Sequence, residues 1–288
     1  MNEIPSIQWF PGHMTKAIRM MKEEMNLVQC VVYVLDARAP LSSINSAFDE
    51  IIGERPRLYV MNKSDLIPRE EAEKWRRFFE KNGCRCITAN STSNLGKQKF
   101  ISVLTELNSG ILEKYRLKGV KKTIRAMVIG VPNCGKSTLI NSVIGKSRTI
   151  TGNKPGVTRG KQWVNIAPYI DLLDTPGTLY PDFSDQKKAV NLAIIGSIKE
   201  DVLDLTELSG EIIRFMSDYD AEALKKRYNL EELSSDMNKN IENIAVKRGF
   251  LLKGGDIDVD RAAKMVITDF RKQAFGKVIL EKYDETVR

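Results

Sequence analysis

Short apolar runs alternate with segments whose apolar residues recur every third or fourth position, as far as residue 173. The runs at 30–35, 57–61, 85–88 and 124–129 predict buried strands, and 162–166 and 169–173 predict two more. Between them, residues 70–81 predict a helix with Trp75, Phe78 and Phe79 on its inner face, and 97–107 predict another. Ahead of the first strand, Met14, Ala17, Ile18, Met21 and Met25 share one helical face. This alternation predicts an α/β fold, a mostly parallel sheet with helices on both faces. Beyond Tyr180 helical spacing takes over, at 189–198 and 210–216. A last helix begins near Asp256 to Asp258, turns Ala263, Val266, Ile267 and Phe270 inward, and stops around Gly276. The expected domains are therefore 1–180, α/β, and 181–288, helical.

With 288 residues the chain can hold both domains with ample core. Lys plus Arg exceed Asp plus Glu by 45 to 37, a net charge of +8, which points to an anionic partner, nucleic acid ahead of a membrane. There is no N-terminal apolar targeting stretch, and the longest apolar runs are too short to span a bilayer, so a cytoplasmic protein is expected. Cys30, Cys84, Cys86 and Cys134 lack the paired spacing of a zinc site and are read as reduced thiols.

Polar motifs follow the apolar runs, where ligands of such sheets bind. Gly130-Val131-Pro132-Asn133-Cys134-Gly135-Lys136-Ser137 has the spacing of a phosphate loop opening a helix at Thr138. Its glycines permit dihedrals that turn successive N–H groups, from Asn133 through Thr138, toward a phosphate, and the helix N-terminus adds a favourable dipole. Lys136 would reach the β- and γ-phosphates, and the Ser137 hydroxyl would ligate Mg²⁺. Asn62-Lys63-Ser64-Asp65 matches a guanine-reading motif, in which the Asp65 carboxylate accepts from N1–H and the 2-amino group. Adenine offers neither donor, a mismatch that costs up to roughly 10⁴-fold in selectivity. An ATP-using kinase or transport ATPase would leave this motif without a purpose. Asn62 would brace the loops, Lys63 would cover the base plane, and Ala89 would present its N–H to guanine O6.

Asp174-Thr175-Pro176-Gly177 supplies a carboxylate for the Mg²⁺ shell and an N–H, that of Gly177, for the γ-phosphate. Thr158 is the choice over Thr149 and Thr151 for completing the Mg²⁺ shell in the triphosphate state. Thr178 occupies the place where signalling GTPases carry a glutamine and is too short to orient water in the same way. His13, the single histidine, reads either as a catalytic group or as a surface or capping residue. Asn133 reads either as a K⁺ ligand or as a loop brace. Arg261, Lys264, Arg271 and Lys272 on the last helix are candidates for RNA contact.

In ordinary GTPases the phosphate loop precedes the N-K-x-D motif; here the order is reversed. A circular permutation preserves every strand end while cutting the chain elsewhere. The chain resembles the circularly permuted GTPases through Gln8-Trp9-Phe10-Pro11-Gly12-His13-Met14, Asp36-Ala37-Arg38-Ala39-Pro40, the three motifs above, Pro155-Gly156-Val157-Thr158, Gly254-Gly255 and Asp269-Phe270-Arg271. The resemblance implies a circularly permuted P-loop GTPase domain followed by a small all-helical domain that contacts RNA. It further implies a K⁺-favoured GTPase that binds the precursor of the large ribosomal subunit and its rRNA, with no membrane or DNA partner. Hydrolysis would be slow alone, stimulated by the subunit and coupled to release, with His13, Lys136 and Thr158 as the catalytic set. Thr178 departs from the bulky aliphatic residue usual there. The other reading is a nucleotide-gated RNA-binding module whose hydrolysis is incidental.

Overall fold

The computed structural model describes residues 12–91, 97–145, 162–179 and 185–284, with His13 and Gln162 described by their backbone only. Among these residues the chain forms two compact units: 12–179 together with the tail 281–284, and 185–280.

The first unit is built on a six-stranded sheet, β1 (Cys30–Asp36), β2 (Arg57–Asn62), β3 (Arg85–Thr88), β4 (Ile124–Ile129), β5 (Gln162–Ala167) and β6 (Ile170–Asp174), in the order β3-β2-β1-β4-β6-β5. Every pair is parallel except β5 with β6. Residues 168 and 169 alone join those two strands, too few for a crossover, and Tyr169 takes a left-handed conformation at φ 66° that closes the hairpin. β1 is buried at every position, as its unbroken apolar run requires of a central strand. Register aligns Asp36 with Asn62 and Val128 with Asp174, so the polar ends of β2, β1, β4 and β6 emerge along one edge.

The helices of this unit are α1 (Gly12–Glu24), α2 (Ala47–Ile52), α3 (Arg69–Lys81), α4 (Lys97–Leu107), α5 (Ser109–Arg116) and α6 (Lys136–Ile144). Met14, Ala17 and Met21 of α1 and Trp75 and Phe79 of α3 are buried at helical spacing, whereas Ile18 and Phe78 are only half-buried. Phe79 stacks on Tyr59, and Tyr59 on Tyr33, which ties α3 to β2 and β1.

The second unit is helical: α7 (Gln186–Ile194), α8 (Leu205–Tyr228), α9 (Met237–Lys247) and α10 (Val259–Arg271). Asp185, Asp204, Asp236 and Asp258 cap these helices, each accepting from a first-turn amide, a contact worth about 1 kcal/mol. Asp220 breaks α8 at φ −161° and ψ 81°, and its carboxylate caps the helix that resumes by accepting from Ala223 N. Ala263, Val266, Ile267 and Phe270 are buried as their spacing requires. α10 stops at Arg271, short of Gly276, because the chain turns left-handed at Gln273, φ 61°.

Two expectations change here. The division expected at 180/181 placed everything after it in the helical domain, but the tail belongs to the sheet unit. The Glu281 carboxylate accepts from the amides of Leu41 and Ser42, and Trp75 Nε1 donates to its carbonyl at 2.9 Å. Arg271, one of the four candidates for RNA contact, is engaged inside the helical unit. Its guanidinium donates to the carbonyls of Ile194 and Ala193, both at 2.9 Å, and pairs with Glu200, so it closes the C-terminus of α7. No helix among the described residues is long and apolar enough to cross a membrane.

Arg271→Ala should therefore destabilise the protein by about 1–3 kcal/mol in thermal unfolding, while Lys272→Ala, at an exposed position, should stay within about 0.5 kcal/mol of the parent. Equal effects would contradict this assignment.

Candidate functional site

The phosphate-loop spacing folds as a loop between β4 and α6. Gly130 has φ 149°, and a Cβ there would lie 2.3 Å from the Val34 carbonyl oxygen. Gly135, at φ 98°, precedes the first turn of α6, and its Cβ would lie 2.2 Å from Asn62 Nδ2. Both positions demand glycine for dihedral and for space. Asn133 also takes positive φ, 59°, so the loop alternates hand in the manner of an anion-binding nest. Lys136 is 6% exposed and donates through Nζ to the carbonyls of Gly130 and Val131, each at 3.0 Å. Cys134 is buried and Thr138 half-buried.

The guanine-reading segment is laced to this loop although it lies some seventy residues earlier in the chain. Asn62 Nδ2 donates to the Cys134 carbonyl at 2.8 Å, and Asn62 Oδ1 accepts from the amide and hydroxyl of Ser91 at 3.1 and 2.7 Å. One buried amide thus holds three loops. Lys63, left-handed at φ 61°, donates through Nζ to the Asn133 carbonyl at 2.7 Å and to Asp36 at 2.8 Å. Asp65 lies exposed in the short turn Ser64–Leu66.

Asp36 closes the cluster. Burial opposes its charge, but Arg38 and Lys63 together hold its carboxyl well below the usual carboxylate range. Arg38 reaches it with Nε and a terminal nitrogen at 2.9 and 2.8 Å. In the sequence Asp36 and Arg38 belong to a short motif with no evident role, since nothing local shows that the partner of Asp36 is Lys63. Ser91 was missed for the same reason.

Ala89 is corrected. Its N–H donates to the Met61 carbonyl at 2.8 Å and its carbonyl accepts from the amide and hydroxyl of Ser64, each at 3.0 Å. The β2–β3 ladder runs one residue past Thr88 and consumes the amide expected to face guanine O6. Residues 92–96, which follow, lie outside the described residues.

On the phosphate side, Asp174 Oδ2 accepts from the Ser137 hydroxyl at 2.8 Å. Asp174 Oδ1 is buried without a hydrogen-bond partner. Burial raises the Asp174 carboxyl, offset in part by Ser137 and Lys136. A buried carboxylate with one oxygen unmatched, beside a serine hydroxyl, is the hard oxygen donor set that suits Mg²⁺. Thr175 Oγ1 donates to the Val128 carbonyl at 2.7 Å and pins the turn that follows. Gly177 passes so close to the phosphate loop that a Cβ would lie 2.7 Å from Pro132 Cα and 2.8 Å from Lys136 Nζ. Thr178 is fully buried, its amide directed to the Gly130 carbonyl at 3.4 Å and its hydroxyl without a partner. Thr158 and the His13 side chain fall outside the described residues.

The arrangement brings the turn that carries Asp65, the loop that carries Lys136 and the Ser137–Asp174 pair to the ends of β2, β4 and β6. The 50S ribosome-binding GTPase family profile matches residues 125–247, from β4 onward. Ribosome biogenesis GTPase A of Bacillus licheniformis is 39% identical over 97% of this chain and 99% of its own length. Mitochondrial ribosome-associated GTPase 1 of Bos taurus is 32% identical over 96% of this chain and 88% of its own. Among solved structures, GNP-bound YlqF from T. maritima superposes with a TM-score of 0.63 at 28% identity, over 93% of this chain and 98% of that one. Near-full-length identity at this level, with motifs out of order along the chain but bonded to one another in space, makes this chain a circularly permuted GTPase of the ribosome biogenesis GTPase A family.

Proposed function

We propose that this GTPase acts in assembly of the large ribosomal subunit, binding its precursor in the GTP state and leaving after hydrolysis. The observation that carries the reading is the lacing of Asn62 and Lys63 to Cys134 and Asn133, which gives one guanine nucleotide a continuous cradle. In support, relatives over nearly the whole length bear ribosome-assembly names, and the chain carries a charge of +8, suited to an RNA-rich partner.

In this reading Asp65 selects guanine, Lys63 covers the base, and residues 133–138 with Lys136 hold the phosphates. Lys136, already buried, would exchange its two carbonyl partners for phosphate oxygens and so meet an opposite charge without further desolvation of its own. Ser137 and Asp174, with Thr158 in the triphosphate state, would hold Mg²⁺, which supplies positive charge against the β- and γ-phosphate oxygens. The Gly177 amide would bond the γ-phosphate and order the turn, and loss of that phosphate would release it. A K⁺ site at Asn133 would depend on its side-chain amide, since its carbonyl accepts from Lys63. Thr178 is buried, so orientation of the attacking water falls to another group, for which His13, in the first turn of α1, is the candidate. RNA contact falls to exposed cations of the helical unit: Lys264, Lys272 and Arg261, whose guanidinium sits 4.3 Å from the centroid of the Phe250 ring.

Lys136→Ala should abolish GTP binding in a fluorescent-nucleotide titration. Asp65→Asn should shift preference from guanine to xanthine nucleotides by at least about 100-fold in competition. Hydrolysis by the protein alone should run at about 10⁻³ per second or slower and rise when purified large-subunit precursors are added. A rate unchanged by precursors across salt and K⁺ conditions would contradict the assembly role.

A further inference from the structure

We propose that Glu281, at the far end of the chain, is a positioning residue for the guanine loop. Its carboxylate accepts from Leu41 N at 2.7 Å, from Ser42 N at 3.0 Å and from the Ser42 hydroxyl. Those amides open a helical turn closed by Ser43 N to the Ala39 carbonyl and Ile44 N to the Leu41 carbonyl, each at 3.0 Å. An ionised carboxylate on consecutive turn amides is a charge-assisted contact, stronger than one between neutral groups.

The turn leads straight to the nucleotide site. Ser43 is fully buried, donates to the Ala39 carbonyl at 2.7 Å and accepts from Asp36 N at 3.1 Å. Asp36 holds Lys63, and Lys63 grips the Asn133 carbonyl of the phosphate loop. Hydrogen bonds joined by short covalent steps, from Ser42 to Ser43 and across Asp36, therefore lead from residue 281 to residue 133 through side chains that are buried or half-buried. The tail is held independently of its carboxylate: Trp75 Nε1 donates to the Glu281 carbonyl, Tyr283 N donates to Glu71 at 2.9 Å, and the Tyr283 ring meets Trp75 edge-on at 5.5 Å. Removing the charge of Glu281 leaves the tail anchored and weakens only its hold on the turn, so Asp36 and Lys63 lose a fixed support.

The inference rests on the reading of Lys63 as part of the nucleotide cradle, and a double-mutant cycle separates the two. KM and kcat for GTP and the affinity for GDP are measured on the full chain for the parent, Glu281→Gln, Lys63→Ala and the double variant. Glu281→Gln should raise KM and the GDP dissociation constant about fivefold and leave kcat at saturating GTP within about twofold. In the Lys63→Ala background the same change should add less than about twofold, because the path is already cut. Ser42→Ala, which removes only the hydroxyl donor, should shift KM in the same direction by less and serves if Glu281→Gln does not fold. An unchanged KM for Glu281→Gln or Ser42→Ala, with or without a lower melting temperature, would overturn the proposal if Lys63→Ala raises KM. Equal effects in both backgrounds would overturn it too. Lys63→Ala without effect on nucleotide binding would refute the cradle reading itself, and this inference with it.

Discussion

The site depends on one buried carboxamide. Asn62 donates to the loop after β4 and accepts from the segment after β3, so a single side chain fixes the distance between the segment proposed to read the base and the loop proposed to hold phosphate. An aspartate there would lose the donor, and an alanine would leave a buried carbonyl and a buried amide unmatched, each at a cost of about 1–3 kcal/mol. The permuted order follows from the same contact. The bond is through space between the segments that follow β2 and β4, on either side of β1, so it holds regardless of which segment the chain visits first, provided those three strands stay side by side. Gly135 completes the arrangement by yielding the volume that the Asn62 amide occupies.

Two buried carboxylates, at the ends of the strands that flank β4, are treated in opposite ways. Asp36 has both oxygens bonded and two cations against it, and stays ionised despite burial. Asp174 has one oxygen bonded and one unmatched, and burial raises it. The first is a closed structural knot that aims Lys63. The second is an open valence suited to a cation brought by the nucleotide.

Much of this was legible in the sequence because it is local. The strands follow from apolar runs and the core face of α10 from its spacing, while the glycines of the phosphate loop announce dihedrals that other residues resist. What stayed hidden is non-local or a matter of single residues. The antiparallel β5 turns on a two-residue connection with Tyr169 left-handed. Ala89 was misread because the ladder extends one residue beyond the apolar run, and its amide is taken by Met61. Arg271 looks in sequence like any solvated cation on a helix; its place against α7 depends on Gly196, where a Cβ would come within 3.3 Å of its Nε. Glu281 finds its partners some 240 residues away, a separation that no periodicity reveals.

The central claim is that segments scattered along the chain form one guanine-nucleotide site through Asn62. The most direct test is a calorimetric titration of Asn62→Ala with GDP, beside a melting curve that shows the variant folded. Loss of at least about tenfold in affinity by a folded variant is the predicted result; unchanged affinity would contradict the account.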